Sequence, residues 1–120
     1  PAKVEGYWNW SLDIGHGRHD YAAVVEQHFQ AVEGVVRSGS RRAILDGMKL
    51  SGDVISFSTM ITLPGIGLTR QQFSGRINGD AIEGTVQILY EPYEAPFERP
   101  WRAVRSATSA YFTPTGVDAK

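Results

Sequence analysis

Apolar and polar residues alternate with a period of two along most of this chain, and glycine-centred breaks interrupt the alternation at short intervals. Such alternation sends successive side chains to opposite faces of an extended strand. It therefore selects antiparallel sheet with one buried and one wet face. Trp8, Trp10, Leu12 and Ile14 share one face, and Tyr7, Asn9, Ser11 and Asp13 share the other. Ile55, Phe57, Ile61 and Leu63 stand opposite Ser56 and Ser58, and Ile82, Val86, Ile88 and Tyr90 stand opposite Glu83, Thr85 and Gln87. The breaks are Gly15-His16-Gly17, Ser38-Gly39-Ser40, Ser51-Gly52-Asp53, Pro64-Gly65-Ile66-Gly67 and Asn78-Gly79-Asp80. Glycine and Asn/Asp supply the positive φ angles of tight hairpins.

Residues 19–33 admit two readings. Tyr21, Val24, Val25, His28, Phe29 and Val32 follow helical spacing, with Asp20 as a cap. As a strand, the same stretch puts Tyr21, Ala23, Val25, Gln27 and Phe29 on one face. Gly34 and the neighbouring strand patterns favour strands over 19–29 and 33–38. The total is then eight, at 5–14, 19–29, 33–38, 41–50, 53–63, 67–77, 80–90 and 99–106. The expected fold is all-β, an eight-stranded antiparallel up-and-down barrel. It forms a single domain over residues 1–106, with a loose tail over 107–120 and a Pro92/Pro96 loop over 91–98. Leu50–Ile55 and Ile77–Ile82 nearly repeat, which reads as shared hairpin chemistry.

The net charge is −1 and the pI about 6.4, so neither nucleic acid nor an anionic membrane is an expected partner. No apolar run approaches the length of a membrane-spanning helix, and no membrane insertion is expected. Cysteine is absent, which excludes disulfides, thiolate metal sites and thiol catalysis. The chain begins at Pro1 with neither an initiator Met nor a signal peptide, as in a processed protein or a piece of a longer one.

Catalytic groups are hard to find. His16 and His19, with Asp13 and Asp20, are the nearest approach to a metal set, but they read as a solvated turn. His28 and Glu26 fall on an outer strand face without a pocket to tune them. No Gly-x-Ser-x-Gly elbow occurs, and Gly65-Ile66-Gly67 lacks the Lys-Ser/Thr of a phosphate cradle. No catalytic residue, metal site or cofactor is expected in this chain.

The aromatics are more informative. Trp8, Trp10, Phe29, Phe57, Phe73, Tyr90 and Trp101 are expected to face inward. They read first as a filled core, and alternatively as the lining of a cavity for a small apolar ligand. On the second reading the ligand-binding candidates are Trp10, Phe57, Phe73, Tyr90, Tyr93 and Trp101. The site would lie at the barrel end near the 64–67 turn or the 91–98 loop, where Tyr90, Tyr93 and Phe97 cluster. In a closed barrel the last strand lies beside the first. Arg105 is then placed to stack on Trp8 as a structural latch, with Arg102 exposed.

Gly6-Tyr7-Trp8 on the first strand, together with Arg105 on the last, resembles the signature of the calycins, the lipocalin and avidin superfamily. The expected barrel is thus lipocalin/avidin-like. Asn9 and Ser11 do not align with the avidin-like Asn and Ser positions, so no biotin site carries over. A closer resemblance rests on Pro1–Trp8, Glu26–Gln30, Leu50–Phe57, Phe73–Val86 and Trp101–Arg105. These segments are similar to the C-terminal lipocalin-like domain of bacterial S-adenosylmethionine-dependent methyltransferase-like proteins. That resemblance implies an upstream catalytic domain of the same polypeptide, which would hold any S-adenosylmethionine, and a cytoplasmic or periplasmic location. The barrel itself is then a non-catalytic accessory domain for docking or substrate binding. Two alternatives are a stand-alone binding module for a small apolar ligand and an enzyme working in a barrel cavity.

Overall fold

The computed structural model describes residues 2–29, 31–92 and 95–109. Eight strands follow in chain order: β1 (Gly6–Asp13), β2 (Arg18–His28), β3 (Ala31–Ser38), β4 (Arg41–Ser51), β5 (Val54–Leu63), β6 (Gly67–Asn78), β7 (Ala81–Tyr90) and β8 (Phe97–Ala107). Each pairs antiparallel with the next, and β8 returns to β1, so the sheet is a closed up-and-down barrel. Closure removes the exposed edges that an open sheet would carry.

Residues 19–28 and 31–33 lie in strands β2 and β3, and no helix occurs among the described residues. Tyr21, Ala23 and Val25 are buried while Glu26 and His28 are exposed, and β2 pairs with both β1 and β3. Two boundaries differ from the sequence reading by two residues, and the others by at most one. β3 starts at Ala31, because β2 and β3 form a tight hairpin, and β8 starts at Phe97, so 97–98 is strand rather than loop. Phe29 requires a correction. It sits at the hairpin tip with φ of 59° and 99% exposure, where the strand alternation that would have turned it inward has ended at His28. Of the expected tail, residues 110–120 lie outside the described residues.

The core is the inner face of the barrel. Val4, Trp8, Ile55, Phe73, Val86, Ile88 and Ala103 are at most 1% exposed. Four aromatics fill the middle. Trp10, Phe57, Phe73 and Trp101 lie in mutual contact, with ring centroids from 4.8 Å (Phe57–Phe73) to 6.2 Å (Trp10–Phe57). Tilted and edge-on geometries dominate, as aromatic quadrupoles prefer. Two inward-facing glycines, one on β6 and one on β7, stand in register with Trp101. Gly75 pairs with Gly84, and Gly84 pairs with Trp101. A Cβ on Gly75 would stand 3.0 Å from Trp101 Cζ3.

The two near-repeats are equivalent hairpins. Gly52 and Gly79 have φ of 64° and 63°. The Asp that follows each glycine accepts from an arginine on the next strand: Arg76 to Asp53 Oδ1 at 2.6 Å, and Arg105 to Asp80 Oδ1 at 2.9 Å.

Candidate functional site

The aromatic candidates separate in space. Trp10, Phe57, Phe73 and Trp101 form the central cluster, each at most 5% exposed. Tyr90 is half-buried at the end of β7, opposite Thr69. Tyr93 lies outside the described residues. Phe97 is half-buried, with the Arg99 guanidinium 4.8 Å from its ring centre.

Arg105 meets Trp8. Its guanidinium carbon lies 4.8 Å from the Trp8 ring centre, and its side chain is 9% exposed. The guanidinium donates to the carbonyls of Lys3, Glu5 and Gly79 as well as to Asp80. One residue on β8 thereby ties the N-terminal segment to the β6–β7 turn. The Trp8 indole N–H donates to Val4 O at 2.8 Å, holding the same segment from the other side. Arg102 faces outward and pairs with Glu83.

The inner wall carries polar groups that a hydrophobic alternation passes over. Thr59, Thr69 and Gln71 face inward and are at most 2% exposed. Gln71 Nε2 donates to Tyr21 Oη and Thr69 Oγ1, both at 2.9 Å, and Thr69 donates to Ile61 O. Tyr21 stacks on Trp10 at 5.5 Å. Burial pushes the Tyr21 phenol up to about 12, against a smaller lowering by Gln71. The proton thus leaves the unfolded chain first. Stability from this group is complete below about pH 10 and falls as pH rises toward about 12, by up to about 3 kcal/mol. Urea unfolding near pH 9 and again near pH 11.5 measures the loss. Tyr21→Phe should lose less across that interval than wild type, and an equal loss would refute the assignment.

The histidines of the 13–20 segment do not assemble. His16 is exposed, Asp13 accepts from the Gly15 N–H, and Asp20 is bound by Arg18 and Ser11. Arg18, with help from Ser11, holds the Asp20 carboxyl below its usual range. A tighter cluster is Glu26, His28 and Glu33, whose ligand atoms lie within 4.8 Å of one another. It arises because β2–β3 pairing sets Glu26 opposite Glu33. All three are exposed, and exposed acidic groups commonly gather without an ion.

Among the described residues, two of the grooves on the outside of the barrel stand out. The larger, about 1050 Å³, crosses β1–β4. Register aligns Tyr7, Val24, Val35 and Ile44 into one outward row, with Val35 53% and Ile44 63% exposed. Arg37 and Arg42 flank the row on one side, Glu26 and Glu33 on the other. The second, about 740 Å³, overlies the β8–β1 seam. No family model, curated protein or solved structure matches the chain.

Proposed function

We propose that this barrel is a non-catalytic accessory module of lipocalin-like type. On this reading it docks by its β1–β4 face to an upstream catalytic domain of the same polypeptide, in a methyltransferase-like protein. The observation that carries the reading is the Tyr7–Val24–Val35–Ile44 row: contiguous apolar surface on the outer face, between opposite charges. Scattered exposed apolar residues are ordinary, whereas a continuous row across four strands marks an interaction surface. The filled interior supports the same reading, because four packed aromatics occupy the place where a central ligand would sit. The N-terminal segment crosses the barrel end at the foot of this face, where Ala2 N–H donates to Gly52 O. Val4 N–H donates to Gln27 Oε1, Gln27 Nε2 donates to Ala2 O, and Gln27 N–H donates to Glu5 Oε1. A domain preceding Ala2 would therefore emerge at that end of the barrel, by Gln27 and Gly52. S-Adenosylmethionine would belong to that domain.

Ile44→Asp tests the surface. In the isolated chain it should change stability by less than about 0.5 kcal/mol, since the residue is exposed. In the polypeptide carrying both domains, it should release the barrel to tumble independently, read from backbone 15N relaxation. Unchanged tumbling, or a reading frame that starts at Pro1, would defeat the proposal.

A further inference from the structure

Strands β3 and β4 carry matching outward triplets that run in opposite chain directions. On β3 the triplet is Glu33, Val35 and Arg37, and on β4 it is Arg42, Ile44 and Asp46. All six residues are exposed. The antiparallel register sets Val35 opposite Ile44 and Arg37 opposite Arg42. Glu33 and Asp46 follow on the far side of the apolar pair, one residue beyond the Gly34–Leu45 pair. The strip therefore has an acidic row, an apolar row and a basic row. Like charges stand side by side within each charged row, and Glu26 lies opposite Glu33 as well. Such pairs disfavour a sheet that has nothing against it. Among the described residues, Glu33, Arg37, Arg42 and Asp46 form no ion pair, whereas Arg18, Arg76, Arg102 and Arg105 each form one.

A partner surface of one charge would satisfy one row and repel the other. A surface that suits both must carry the same three rows in reverse order. This chain supplies such a surface itself. An isologous contact needs a patch that is complementary to itself under a two-fold rotation. With the axis along the Val35–Ile44 line, in the plane between two copies, rotation keeps the apolar row in place and exchanges the charged rows. Val35 and Ile44 then meet their own counterparts. Arg37 meets Glu33 of the second copy, Arg42 meets its Asp46, and each contact occurs twice. Glu26 falls against Ala22 of the second copy, at the rim, and keeps His28 beside it at 3.9 Å.

We propose that the β3–β4 strip pairs with a second copy of this chain about that two-fold axis. The pairing rests on the reading of the β1–β4 face as an interaction surface, and its two occupants exclude each other: copies pair where no upstream domain covers the face. Six residues a side are far fewer than the roughly 20–30 of a standard stable interface. The pair therefore forms at millimolar rather than micromolar concentration. Charge order sets its register, since any other rotation brings like rows together.

Sedimentation velocity of the full chain tests this. Wild type should run as a monomer at micromolar concentration and as a monomer–dimer equilibrium at millimolar concentration. Glu33→Arg with Asp46→Arg makes both flanking rows of the strip basic, and Arg37→Glu with Arg42→Glu makes both acidic. Each double variant alone should associate at least ~10-fold more weakly than wild type. An equimolar mixture of the two should dimerise at least as well as wild type, because every row then meets its opposite. Ile44→Asp, which places a charge on the axis, should stay monomeric throughout. Dispersed 1H–15N spectra establish that each variant is folded. Three results would overturn the proposal: a wild-type monomer at millimolar concentration, growth beyond the dimer, or a mixture that associates no better than its components. The last would mean that the row is merely apolar. Pairing is read on this chain and docking on the longer polypeptide, so failure of either leaves the other standing.

Discussion

Arg105→Ala is expected to lower stability by about 3 kcal/mol, a fall in Tm of roughly 10 °C or more for a domain this size. The size follows from what the guanidinium holds. It donates to three backbone carbonyls and one carboxylate while lying over an indole, with its side chain 9% exposed. Truncation would leave the Lys3, Glu5 and Gly79 carbonyls without this donor, and a hydrogen bond to a charged group contributes about 1.5–3 kcal/mol. The cation–π contact adds roughly 0.5–2 kcal/mol. These contributions overlap, so their sum overstates the loss. Arg105→Lys should recover only a minor part, because an ammonium cannot reach four acceptors spread around a planar fork. Chemical denaturation of the three proteins measures the effect. A loss under about 0.5 kcal/mol for Arg105→Ala would show that the barrel closes without it.

The Trp8–Arg105 contact was legible because it needs only closure and alternation. Once eight strands are counted, the first and last are neighbours, and inward parity puts Trp8 and Arg105 on the same side. The carbonyls of Lys3, Glu5 and Gly79 were not legible, since they depend on how the N-terminal segment crosses the barrel end. The strand reading of 19–29 rested on a weak preference over a good helical pattern. Tertiary pairing settles it: Val24 faces outward beside Val35 and Tyr7, so the helical coincidence reflects an apolar outer row.

The same row shows why the docking face was invisible. Val24, Val35 and Ile44 lie on three strands, and their alignment is a property of register, which no local pattern contains. The inward Thr59, Thr69 and Gln71 were missed for a different reason. A hydrophobic alternation scores polar residues as outward, although Gln71 is fully buried. Phe29 fails in the opposite sense. It continues the β2 alternation by one residue beyond the strand end.

Gly84→Ala should cost about 3 kcal/mol or more, which is unusual for adding a single methyl group. Seven of the glycines have open space around the absent Cβ, but Gly84 stands within β7 with its neighbours close. A Cβ there would collide with Ser74 O and the Gly75 Cα. Those are backbone atoms of the paired strand, so relief requires β6 and β7 to separate, and with them the ten-pair ladder they share. Gly75→Ala meets a softer obstacle. Its nearest atoms are Ile82 Cγ2 at 2.7 Å and Trp101 Cζ3 at 3.0 Å, and side chains can yield at the 1–3 kcal/mol typical of overpacking. The two variants thus respond differently to a smaller residue at 101. Trp101→Leu alone should cost a few kcal/mol for the cavity it opens. Added to Gly75→Ala, it should be less damaging than the sum of the two, because it removes one of the colliding atoms. Added to Gly84→Ala, it should bring no such relief, since the collision is with the neighbouring main chain. Double-mutant cycles by urea denaturation separate the cases. Equal coupling in both cycles would mean that indole crowding alone, and not strand approach, requires glycine at 84.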